Sequence, residues 1–191
     1  RAVAGKRVRP HGMGTGEVGT WLALSAGIAG AIGTFGGGWL ADHLAARDRR
    51  FYQWVPAIAA ALLVPFMCLV MLAANPAIAM LIFILPALLQ NVCIGPSLAS
   101  THALVDVRSK SVGSAILFFV VNLIGLGLGP LSIGIISDFL EPTYGNESLR
   151  WALLSGVVLV GTWSATHFVL GAKTFREDSA QQASLQARLG E

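Results

Sequence analysis

Five apolar runs, at about residues 18–41, 53–74, 77–101, 112–137 and 150–172, set what this chain can fold into. Each reaches the roughly 20 residues that a helix needs to cross a ~30 Å hydrocarbon layer at 1.5 Å per residue. A lone β segment would leave its backbone unpaired in lipid, and a barrel would need short alternating strands, which these runs do not show. The spacing therefore predicts an all-α membrane protein with five transmembrane helices. Composition agrees. Charged residues make up 12% of the chain and hydrophobic residues 54%, and the charges avoid the runs. A soluble domain carries about 25% charged residues.

The net charge of +3 comes from short loops and ends, so it reports membrane orientation and not nucleic-acid binding. His43, Arg47, Arg49 and Arg50 follow the first run, Arg108 and Lys110 the third, and Lys173 and Arg176 the fifth. The turns after the second and fourth runs hold no Lys or Arg until Arg150. This alternation predicts that the first set, and the C-terminus, lie in the cytoplasm. Residues 1–16 read as an atypical polar segment, because Lys6, Arg7 and Arg9 run against that parity. Residues 17–173 read as the membrane bundle and 174–191 as a polar, weakly helical cytoplasmic tail that frays in water. With Arg1 in first place and no secretory leader visible, a piece of a longer protein is expected.

Punctuation within the runs marks candidate functional residues. Gly30, Gly33, Gly37 and Gly38 give the first run small residues at helical spacing, which let helix backbones approach closely in lipid. The second run ends at Asn75-Pro76, a turn signal that predicts a tight hairpin with the third. The third run holds Pro86, then Gln90-Asn91, then Gly95-Pro96. Adjacent amides at mid-span are costly against hydrocarbon, so Gln90 and Asn91 are expected to line a polar path or bond a neighbouring helix. Asn122 in the fourth run is a candidate for the same reason. Gly125, Gly129, Pro130 and Gly134 are expected to set packing and bending, as is Pro96. Cys68 and Cys93, both within apolar runs, read as reduced core thiols. His167 lies near the end of the fifth run and is a weak candidate for proton carriage.

Two helix ends echo each other. Gly38-x-x-Ala41-Asp42-x-Leu44 closes the first run and Gly134-x-x-Ser137-Asp138-x-Leu140 closes the fourth, three helices later and with opposite predicted orientation. Weak internal symmetry of this kind marks inverted three-helix repeats.

On these residues the chain resembles the C-terminal half of a major facilitator superfamily transporter. Gly38, Asp42, His43, Arg49 and Arg50 are similar to the superfamily's loop motif G-x-x-x-D-R-x-G-R-R, with Asp48 at the place of a small residue. The stretch Asn122–Asp138, with His11-Gly12-Met13 and Gly145–Arg150, resembles the bacterial Spinster-like branch. The resemblance covers roughly residues 11–175 and implies helices eight to twelve of a twelve-helix fold in the bacterial inner membrane. It implies alternating-access transport of a small organic or lipid-like solute. It also implies a gating loop of Asp42, Arg47, Arg49 and Arg50, in which a helix-terminal Asp calls for a basic partner. Expected partners are membrane lipid, the substrate and the missing N-terminal half.

No paired carboxylates, His/Cys ligand set or phosphate-cradling glycine loop is found. The expectation is a non-enzyme without a cofactor or bound metal. No ionisable group lies well inside a run, which places any proton-coupling residue in the missing half. The alternative is a membrane-anchor or assembly subunit with no transport activity of its own.

Overall fold

A computed structural model describes residues 15–189 of the chain. The atypical residues 1–10, the segment His11-Gly12-Met13 and the last two residues of the tail lie outside that range. Among the described residues there is helix joined by short turns and no strand. Seven α-helices follow one another: α1 (Thr15–Ala45), α2 (Phe51–Leu72), α3 (Pro76–Val92), α4 (Ile94–Leu104), α5 (Lys110–Val120), α6 (Gly129–Tyr144) and α7 (Ser148–Leu189). A π-helical segment, Val121–Leu128, joins α5 to α6, and short 3-10 turns precede α5 and α7.

Among these residues, four helical stretches are long and apolar enough to cross a membrane. The last, Val107–Arg188, has 82 residues, several times what roughly 30 Å of hydrocarbon requires. It doubles back at Gly145, whose φ of 51° is readily open only to glycine, and α6 then packs along α7. The five expected passes are therefore all present. Their ends alternate: the 46–50 turn, the 105–109 turn and the far half of α7 share one end of the molecule, and the 73–75 and 145–147 turns share the other.

The interior is built from small residues. Ala29, Ala41, Ala57, Ala59, Ala60, Ala87 and Ala152 are buried, whereas Phe35, Trp39, Leu126 and Phe139 are exposed, Phe139 by 82%. Water would drive the large side chains inward. Lipid leaves them outside and lets small residues bring the helices together. This is an all-α membrane fold.

Proline and glycine fix the central seam. A Cβ on Gly33 or Gly37 of α1 would overlap the carbonyl of Leu88 or Val92 on α3, and one on Gly95 would stand 3.0 Å from the Gly38 Cα. Pro96 cannot donate to the Val92 carbonyl four residues earlier, so that oxygen is free to lie against Gly37. On the other side of the bundle, Gly156 of α7 accommodates Ile133 of α6, and Gly161 accommodates Val64 of α2.

The sequence read 174–191 as a polar, weakly helical tail that frays in water; through residue 189 the structure shows it helical and held against the bundle. α7 continues as helix through Leu189. Ala172, Phe175 and Ser179 are buried on one side of it. Gln182 Nε2 donates to Asp106 Oδ1 at 3.0 Å and Gln186 Nε2 to the Val105 carbonyl at 3.1 Å. These five positions recur every three or four residues, so they form one stripe down the helix. The stripe is largely polar, which hides it from an apolar-period search.

Candidate functional site

The gating-loop residues gather at the end of the bundle where α1 turns into α2. Asp48 Oδ1 accepts the Arg50 backbone N–H at 3.0 Å, an Asx turn that leads the chain into α2. Arg47 and Arg49 are exposed and Arg50 is half-buried. Among the described residues, Asp42 has no basic partner within ion-pair distance. Its Oδ1 accepts a hydrogen bond from the Tyr52 hydroxyl at 2.8 Å, and the one ion pair among the described residues joins Arg150 to Glu147 at the opposite end. Exposed guanidinium groups gain little from an ion pair in water. The phenol, held on the first turn of α2, reaches Asp42 at less cost in side-chain entropy.

Beside this contact lies a cleft of about 540 Å³. Asp42, Arg49, Tyr52, His102, Lys110 and Phe175 line it, with alanines between them. Tyr52 and Phe175 meet edge to face with ring centroids 6.3 Å apart. Ser114 Oγ donates to the Lys110 carbonyl at 2.9 Å, which uses its single hydrogen. His102 Nε2 lies 2.7 Å from the same Ser114 Oγ, which ties the end of α4 to α5. Gln53 Nε2 donates to Ser100 Oγ at 3.1 Å and ties α2 to α4 below the cleft. None of Tyr52, His102 and Phe175 stood out in the sequence, because each joins the group only when the start of α2, the end of α4 and the middle of α7 meet.

The path candidates are dispersed. Gln90 is exposed on α3. Asn91 turns into the α1–α3 seam, where a Cβ on Gly30 would lie 3.6 Å from its amide, and its Nδ2 donates to the Ala87 carbonyl at 2.7 Å. Asn122 is exposed within the π-helical segment, with Nδ2 donating to the Phe118 carbonyl at 2.7 Å. Among the described residues, the larger contacts of that segment are with its chain neighbours α5 and α6.

The π register has a local cause. Gly129 N–H bonds the Ile124 carbonyl, five residues back, and Pro130 can offer Leu126 no N–H at all. Among the described residues, Gly125 and Gly134 have open space where a Cβ would sit. The echoed helix ends therefore differ in packing: Gly38 meets Gly95, and Gly134 meets nothing. Cys68 and Cys93 are free and half-buried, and Cys93 Sγ lies 3.7 Å from the Pro56 carbonyl. His167 is exposed and bonds the Trp163 carbonyl of its own helix.

No family model matches the chain. Over 176 residues, 92% of its length, the chain is 30% identical to an MFS-type efflux pump of Mycolicibacterium smegmatis (strain ATCC 700084 / mc(2)155). It spans 41% of the length of that curated relative.

Proposed function

We propose that this chain is part of the C-terminal half of a major facilitator superfamily secondary transporter, contributing helices eight to twelve. The identity with an efflux pump along 92% of the chain is the observation that carries this reading. The small-residue interior supports it, since closely packed helices with smooth seams can move as one body against a second bundle. The work assigned to it is alternating-access movement of a small organic or lipid-like solute out of the cell. Its features fit the Spinster-like branch and the bacterial inner membrane. The shared end of the 46–50 and 105–109 turns and the far half of α7 bears most of the cations, and we place it in the cytoplasm together with the C-terminus.

Gln90 and Asn122 are the path residues in this reading. Both are exposed amides on otherwise apolar surfaces, and each needs polar surroundings to offset its cost in hydrocarbon. Asn91 serves the α1–α3 seam. Asp42, Tyr52 and Asp48 hold the turn that latches the cytoplasmic side, with Arg47 exposed on it, Arg49 at the cleft beside it and Arg50 half-buried.

Solute flux through the full-length protein in sealed vesicles tests the proposal. Efflux of at least one amphipathic solute is expected, reduced in Gln90→Ala and Asn122→Ala variants that insert normally. No flux above protein-free vesicles across a broad solute panel would favour an anchoring role.

A further inference from the structure

The cleft at the loop-bearing end has a charge pattern that the transport reading leaves unused. Arg49, from the α1–α2 turn, and Lys110, the first residue of α5, both line it. Neither is within ion-pair distance of a carboxylate among the described residues. The one acid on the wall, Asp42, is already engaged by the Tyr52 hydroxyl. Two cations from separate elements thus face one cavity with a single carboxylate, Asp42, whose Oδ1 accepts the Tyr52 hydroxyl. Lys110 also opens an eleven-residue helix with no side-chain cap, and the helix dipole adds positive potential at that point.

The remaining walls are His102, four alanines and the Tyr52 and Phe175 rings, and the alanines and rings suit the carbon skeleton of an amphipathic anion. A cavity of about 540 Å³ falls within the ~300–1,000 Å³ range of small-ligand sites. Its position at the ends of membrane-length helices is the depth at which lipid phosphates lie.

We propose that this cleft binds a phosphate group, carried by an acidic phospholipid or by a soluble organic phosphate, bridged between Arg49 and Lys110. The bound phosphate ties the α1–α2 turn to the start of α5. Phe175 closes the site from the α7 extension, so occupancy also holds that extension in place. The inference concerns binding alone and does not rest on the chain being a transporter.

The test uses the full-length protein, with binding read by native mass spectrometry and by thermal stability. One arm compares phosphatidylglycerol with phosphatidylcholine. The other adds glycerol phosphate to protein held in neutral lipid. Retention of phosphatidylglycerol over phosphatidylcholine identifies a lipid source, and binding of glycerol phosphate in neutral lipid identifies a soluble one. In either case Arg49→Gln with Lys110→Gln lowers affinity about tenfold or more, as expected for loss of charge-assisted hydrogen bonds. Arg49→Lys with Lys110→Arg, and Arg188→Gln at the far end of α7, keep it. Lys110→Gln alone gives a smaller loss in the same direction, which serves if the double variant does not fold. Binding of neither probe overturns the proposal. So does equal retention of the two lipids without glycerol phosphate binding, or an affinity unchanged by the glutamine substitutions.

Discussion

The carbonyl oxygen of Val92 lies against Gly37 of the neighbouring helix, at a place where any side chain would overlap it. Pro96 leaves that oxygen without its usual helical donor, so a break in α3–α4 and a gap in α1 form one contact. Gly37→Leu must push the helices apart, at a cost of about 1–3 kcal/mol for overpacking. Gly36→Leu, one position away with open space at its Cβ site, is expected to leave stability unchanged. Melting temperatures of the two variants in detergent make the comparison.

On the opposite side, Val64 of α2 fills the space that Gly161 leaves on α7. Gly161→Ala alone should destabilise. The same change with Val64→Ala should recover most of the loss, since the second substitution removes the atoms that clash. A double-mutant cycle reads the coupling, expected at about 0.5–3 kcal/mol for residues in contact.

The Tyr52 hydroxyl bond to Asp42 holds the α1–α2 turn without a salt bridge. Tyr52→Phe keeps the ring against Phe175 and removes only the donor, so a loss of about 1 kcal/mol is expected. Neutralising Arg47 should cost nothing measurable, since Arg47 is exposed and makes no ion pair among the described residues. Equal effects from the two would count against the phenol as the partner that matters.

Docking of the α7 extension is open to proteolysis. Phe175 is 2% exposed, and Phe175→Ala should cost about 3–5 kcal/mol locally. In the wild type, trypsin is expected to cut at Arg188 before Lys173 or Arg176. In the variant, cleavage at Lys173 and Arg176 should become fast. Early cleavage at those two sites in the wild type would show that the extension is not held.

Membrane sidedness follows from the alternation of the helix ends. In a background without Cys68 and Cys93, Arg47→Cys and Asn146→Cys should react with an impermeant thiol reagent from opposite faces of the membrane. By the distribution of basic residues, Arg47→Cys is the one protected in intact cells. Labelling of both from one face would rule out the odd number of passes between them.

The sequence by itself determined the membrane fold, the number of passes and the helix-ending turns. Those follow from hydropathy, chain length and the loss of an N–H at proline, all of which act within one stretch of chain. Gly33 and Gly37 could be read as packing residues for the same local reason, since small residues at helical spacing mark a contact face whatever the partner. What they pack against was decided only by the tertiary structure. Asp42 had several basic residues nearby in sequence, but the hairpin geometry gave it Tyr52. The α7 extension read as a weakly helical, fraying tail because its contact stripe of Ala172, Phe175, Ser179, Gln182 and Gln186 mixes two buried apolar residues with polar ones that hydrogen-bond a distant turn. Hydrophobic burial leaves a periodic trace in a sequence. A hydrogen bond to a distant turn leaves none, because its energy depends on where the turn stands in space.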